Sequence, residues 1–364
     1  MIGQRDVAKV VEPPRVGRSG RQVRGRRALL PGLAALVLVA AAVVAGVATG
    51  LPGRWFVPQP LPTTIAVGFN PAAVAVDLIA HRAYVANQGD GTVTVLDTTR
   101  NAVVATIRVG NYPESVEGVA VDPVAHRAYV TSGHSVAVID TRRNAVVATF
   151  DADSLPAGIA LDPAAHRAYL VAPGIGIVRV LDTRSNAHVG AVRVGELKEL
   201  SGSSAGLALD PVAHRAYVAV PATPGSPMNS VAVIDTDATL VVDTIPVGRR
   251  PAGVALDPAA HRAYVTNSDS NSVSVLDTQR DVVVAGIRVG AFPTGVALDP
   301  AVHRAYVANS NGRSVSVIDT RRNVVVATLL AGFGPVAVAV DPATHRVYVA
   351  NQGDGTVSVL EGGA

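Results

Sequence analysis

The chain has 364 residues, 49% hydrophobic and 16% charged, ample apolar material for a large core. It has no cysteine, which excludes disulfides, thiolate zinc sites and cysteine nucleophiles and fits an exported protein. Aromatic residues make up only 4%, so Val, Ala and Leu must carry the packing.

Residues 1–27 hold Arg5, Lys9, Arg15, Arg18, Arg21, Arg24, Arg26 and Arg27 against Asp6 and Glu12, a surplus of six positive charges. The whole chain carries +3, so residues 28–364 carry −3. The basic character belongs to this tail, expected to be solvated and cytoplasmic, and no nucleic-acid surface is expected on the rest. Residues 28–51 contain no charge. As a helix they would reach about 36 Å, enough for a hydrocarbon core of about 30 Å. The basic flank precedes them, so the remainder is expected outside the membrane. Trp55-Phe56 follow where interfacial anchors sit. An uncleaved single-pass membrane anchor is the expectation. The alternatives are a signal peptide cleaved near Gly46-Val47-Ala48, which would leave a secreted protein, and a twin-arginine signal starting at Arg26-Arg27. Residues 52–62 are a Pro-rich spacer.

From residue 63 to 364 one pattern recurs seven times. Its fixed parts are Asp-Pro, His-Arg-Ala-Tyr-Val, a Ser-Val-x-Val-Ile/Leu-Asp-Thr run and Val-Val-x-x-x-Ile-x-Val-Gly. The His-Arg pair falls at His81, His126, His166, His214, His261, His303 and His345, spaced 45, 40, 48, 47, 42 and 42 residues apart. In the sixth copy, Gly295–Leu298, Arg304–Asn309, Ser314–Ile318 and Asn323–Leu330 read as short strands bounded by Asp, Pro, Asn and Gly. No stretch shows helical spacing. Four short strands in a period of about 40–45 residues make the blade of a β-propeller. The expected fold is therefore all-β, a seven-bladed β-propeller. TTIAVG at 63–68 matches a fourth strand and GTVSVL at 355–360 a third. The last blade is thus expected to join three C-terminal strands to one N-terminal strand, which closes the ring.

The turns fall on two faces. Asp-Pro-x-x-His-Arg and Asp-Thr-x-x-Asn are tight-turn signals on one face, nearly uniform from copy to copy. The other face carries loops such as NQGDGT at 87–92 and blade-to-blade links such as VGNYPESVEG at 109–118, which vary. Variable loops on a rigid scaffold are where function usually sits.

YVANQGDGTVTVLDTTRNAVVATIRVG, residues 84–110, resembles the repeat of the YVTN family of β-propellers, and YVTN itself stands at 264–267. The resemblance covers residues 63–364. It implies an extracytoplasmic seven-bladed propeller from a bacterium or archaeon. Copies three and four depart from it, since Ala172 and Val220 replace the Asn. The family shares no single reaction, so the resemblance implies fold rather than activity.

The seven turn histidines spread in a wide ring rather than converging as a metal site requires, so a structural turn role is expected. Each recurring Asp and Arg is expected to cap and tie its turn. GSSAG at 202–206 matches G-x-S-x-G, but Ser204 leads from a loop into a strand, not around a strand-to-helix elbow. SDSNS at 268–272 is short for a calcium loop. His134 and His188 stand alone. No catalytic residue, metal or cofactor is assigned.

Asymmetry is more informative. The link at 195–206 is long and charged, the loop at 220–230 is also long, and both flank blade four. Tyr112, Phe292, Phe333 and Phe69 lie in blade-to-blade links, and Arg249 and Arg250 occupy the link before blade five. Aromatics with Arg can stack on a sugar, base or peptide ring; packing as hydrophobic plugs is the competing role. The expected contact set is Tyr112, Glu196, Lys198, Glu199, Met228, Arg249, Arg250, Phe292 and Phe333. The expected function is non-catalytic binding or scaffolding by a monomeric propeller, engaging an envelope protein or cell-wall polymer. A propeller hydrolase or lactonase and a purely structural surface protein are the alternatives.

Overall fold

The computed structural model describes residues 62–110, 116–195, 206–222 and 228–362. The basic tail, the apolar stretch at 28–51 and nearly all of the Pro-rich spacer lie outside the described residues. Among the described residues, no helix is long and apolar enough to cross a membrane.

Each repeat becomes one four-stranded antiparallel sheet, and there are seven such sheets among the described residues. In the first, Pro71–Asp77, Arg82–Asn87, Thr92–Asp97 and Ala102–Arg108 pair in chain order. The first strands of successive blades touch all the way round, including the seventh, Pro335–Asp341, against the first. That closed ring is a seven-bladed β-propeller. The last blade closes as expected: Thr63–Ala66 pairs antiparallel with Thr356–Glu361, with Thr63 opposite Val359.

The second strand shows why so few aromatics suffice. In Arg304–Asn309 every residue after the arginine is buried. Ala305 and Val307 pack with Tyr264, Val273 and Val275 of blade five, while Tyr306 packs with Val347 and Val349 of blade seven. Alternation points successive side chains to opposite faces, and both faces here meet a neighbouring blade. Hence the continuous apolar run, with one tyrosine per blade as its largest member.

The turns are built by side chains bonding their own backbone. The Asp77 carboxylate accepts the N–H groups of Ile79 and Ala80 at 3.0 and 2.9 Å. That of Asp97 accepts those of Thr99 and Arg100, both at 2.9 Å. Each of the seven turn histidines has φ between 51 and 58°, the left-handed region. Its carbonyl then accepts an N–H from the turn after the third strand, as His81 does from Thr98 and His303 from Thr320. The recurrent His therefore holds a turn, and its backbone makes the recurrent bond.

The outer strands carry a shared irregularity. In blades one to six the register of the third and fourth strands slips at one place, as between Val95 and Leu96 or Val317 and Ile318. One extra residue results, Val104 in blade one and Val326 in blade six, and both are exposed. Such bulges bend an edge strand and hinder pairing with another chain. At the axis the inner strands pack closely: a Cβ on Gly253 would collide with the Thr294 carbonyl oxygen. The central cavity is correspondingly small, about 150 Å³, and is lined by inner strands of all seven blades.

Candidate functional site

The links before blades one, five, six and seven fold onto that blade's loop between its second and third strands. Before blade one, the N–H of Phe69 donates to Asp90 Oδ2 at 2.9 Å, and the Phe69 carbonyl accepts the N–H of Gly89 at 3.0 Å. Before blade seven, Phe333 repeats the pattern with Asp354 and Gly353, at 2.8 and 2.9 Å. Before blade six the Phe292 carbonyl accepts the N–H of Ser310 at 3.0 Å, while the Phe292 N–H donates back to Asn271 Oδ1 in the loop of blade five at 2.8 Å. The loops are thus pinned platforms, and their side chains are presented by fixed backbone.

Before blades one, five, six and seven the residue preceding the link proline is left-handed. In blades one and seven that position holds Asn70 (φ 60°) and Gly334 (φ 65°), residues suited to it. In blades five and six it holds Arg250 and Phe292, both at φ 54°. For side chains this bulky the conformation costs about 1–2 kcal/mol each. The strain sets a contact: the Arg250 guanidinium lies 5.2 Å from the centre of the Phe292 ring. Arg313 stands likewise 5.7 Å from the ring of Phe333. Arg313 is itself left-handed, φ 46°, where the matching loop positions hold Gly91, Asn271 and Gly355.

Beside this pair is a cleft of about 220 Å³ lined by Pro221, Ala222, Asn229, Arg249, Arg250 and Asp269. Asn229 organises it: Oδ1 accepts the N–H of Ala222 at 3.1 Å and of Arg250 at 2.9 Å. The N–H of Arg249 donates to Ser270 Oγ at 2.8 Å. Met228 is 53% exposed, and Phe333 is 57% exposed.

Of the residues expected from the sequence, the structure places Arg249 and Arg250 in this cleft, Phe292 against Arg250, and Phe333 against Arg313. Met228 is next in the chain to Asn229. Tyr112, Glu196, Lys198, Glu199 and Ser204 lie outside the described residues. Asn229, Asp269 and Arg313 were missed. Arg313 carried a signal, since a long side chain stands there where aligned copies have Gly or Asn.

On the turn face the histidines act one per blade. His126 and His166 meet Arg142 and Arg184 at 2.7 and 2.6 Å, and His345 meets Asp299 at 2.7 Å. Among the described residues no three His, Asp or Glu side chains are grouped to hold a metal ion.

No family model matches the chain, and no curated protein does. Solved structures do match. The chain is similar to hydrazine synthase of Kuenenia stuttgartiensis, with a TM-score of 0.69 and 20% identity over 87% of this chain and 99% of that one. It is also similar to the β-propeller domain of Cps50 (Swd1) from Myceliophteria thermophila, with a TM-score of 0.68 and 10% identity over 84% of this chain and 99% of that one. The likeness is one of fold alone.

Proposed function

We propose that the chain is a non-catalytic binding propeller of the YVTN type, held outside the cell membrane by residues 28–51. It engages an envelope protein or cell-wall polymer through the loop face of blades four to six. The observation that carries this reading is the strained Arg250–Phe292 stack. Two neighbouring blades hold bulky residues in a conformation that sister blades give to Asn and Gly. Strain of this kind persists where the surroundings impose it, and it clusters at functional sites. The stack, the Arg313–Phe333 pair and the Arg249 cleft form a surface of alternating cations and ring faces, suited to aromatic or sugar rings and to anionic groups. The central channel offers little for catalysis, since Glu117 is the one ionisable side chain among its described lining.

Affinity capture from envelope extract with the full chain tests the site. The parent should retain a specific partner or wall fragment, and Arg249→Ala with Arg250→Ala should release it, with a larger difference at low salt. Equal capture by both proteins would overturn the assignment. Location is tested separately. The chain has no cysteine, so Gln59→Cys gives a unique label site in the spacer. An impermeant thiol reagent should label it on intact cells; labelling only after lysis would refute the orientation.

A further inference from the structure

Another cavity lies on the opposite face from the proposed site, at the junction of blades two and three. It holds about 750 Å³, against about 330 Å³ for the matching cleft between blades five and six. The arginine that starts each second strand is partnered differently from blade to blade. Arg167 Nη1 donates to the Thr236 carbonyl of the next blade at 2.7 Å, and Arg346 Nη1 reaches the Thr98 carbonyl at 2.9 Å. Arg215 pairs with Asp281 of the next blade. Arg262 and Arg304 turn to Asp277 and Asp319 of their own blades, at 3.0 and 3.4 Å. Arg127 differs from these: its Nη1 is shut off from solvent and has no hydrogen-bond partner, with Asp140 Oδ2 4.0 Å away.

The cleft that Arg127 lines has a polar end and an apolar wall. At the polar end, Arg184 donates to His166 Nε2 at 2.6 Å, which leaves the other N–H groups of a guanidinium facing solvent. One oxygen of each nearby carboxylate is committed to its turn. Asp122 Oδ1 takes the N–H groups of Val124 and Ala125 at 3.0 and 2.9 Å, and Asp182 Oδ1 takes those of Arg184 and Ser185 at 3.0 and 2.8 Å. The Tyr129 hydroxyl donates to the Thr183 carbonyl at 3.3 Å. Val124, Val138, Val147, Ala148 and Pro163 supply the wall. Two guanidinium groups with spare donors select an anion, and the wall selects an apolar body. The volume is in the range of small-ligand sites.

We propose that the blade two–three cleft binds an organic carboxylate with an apolar body, its carboxylate held by Arg127 and Arg184. Arg127 forfeits no hydrogen bond at Nη1 when it turns to the ligand, and its side chain is 37% exposed, so it has room to do so. Guanidinium–carboxylate bonds are charge-assisted and can be bidentate. This site is independent of the loop face, and neither proposal falls with the other.

The test is titration of the full chain with 4-phenylbutyrate and with the uncharged 4-phenylbutyramide, by calorimetry. The carboxylate should bind at one site, with the amide about tenfold weaker or worse. Arg127→Gln should lose about tenfold in affinity. Arg262→Gln, at the matching position of blade five, should leave affinity unchanged. Ala164→Trp, on an exposed turn that lines the cleft, should block binding without unfolding the chain, and it decides the matter if Arg127→Gln fails to fold. The proposal is overturned by no carboxylate binding up to about 10 mM, by equal binding of acid and amide, or by equal loss in Arg262→Gln.

Discussion

The left-handed positions carry two different burdens. On the turn face His303 sits at φ 54° and its carbonyl makes the bond that ties the two turns together. On the loop face Arg250 has the same φ, yet the matching residue of blade one is Asn70, which takes that conformation at lower cost. Stability alone would favour Asn at both. We therefore expect Arg250→Asn to unfold in urea with unchanged stability, or with a gain of up to about 1 kcal/mol, while losing partner capture. A loss of stability beyond about 1 kcal/mol would show that the Arg250–Phe292 stack is structural.

At the scale of the element, the second and third strands are clasped by one side chain. Asn309 is buried, and its amide donates to Ser314 Oγ at 3.1 Å and Ser316 Oγ at 3.0 Å. Asn87, Asn267 and Asn351 do the same with Ser or Thr five and seven residues on. In blade three Ala172 replaces the Asn, and the partner positions are Ile177 and Arg179. Clasp and partners vanish together, so the departure from the repeat leaves no buried amide unpaired. Asn309→Ala should cost about 1–3 kcal/mol in chemical denaturation, because two hydroxyls lose their donor. Ala172→Asn should also destabilise, since Ile177 offers no acceptor; a neutral result there would show that the clasp does not depend on its partners.

For the whole molecule, stability resides in the blade junctions. The hydroxyls of Tyr264 and Tyr348 donate to the Thr320 and Thr98 carbonyls of the next blade at 3.3 and 3.2 Å, the second across the ring closure. Burial pushes the phenols of Tyr84, Tyr264 and Tyr306 up to about 12. The folded chain then keeps protons that the unfolded chain releases near pH 10, so this contribution is complete below about pH 10 and is lost as pH rises towards 12. Tyrosinate absorbance should therefore appear mostly in one cooperative step together with unfolding. A gradual rise centred near pH 10 in a still-folded protein would contradict the buried junctions. Closure makes the same point mechanically. Removing residues 63–66 bares the third strand Thr356–Glu361 as an edge, and the melting temperature should fall by several degrees or the protein aggregate. A deletion that melts with the parent would mean that the N-terminal strand adds nothing to the ring.

The repeat made blade number, strand order, turn chemistry and ring closure legible, because each is a short-range pattern written seven times over. Asp-Pro before His-Arg specifies its turn with residues only a few positions apart, and TTIAVG matches the fourth strands of its sister copies wherever it lies in the chain. The candidate site was legible in part. Arg249, Arg250, Phe292 and Phe333 stood out because they break the repeat. Their pairing did not, since Arg250 and Phe292 are a blade apart in the chain and meet only when the ring curls. The missing hydrogen bond at Arg127 Nη1 was invisible for the same reason. The residue type of Arg127 matches that of every sister copy, and only the tertiary structure, by setting where neighbouring blades stand, decided that its Nη1 would find no acceptor and that its junction would stay open.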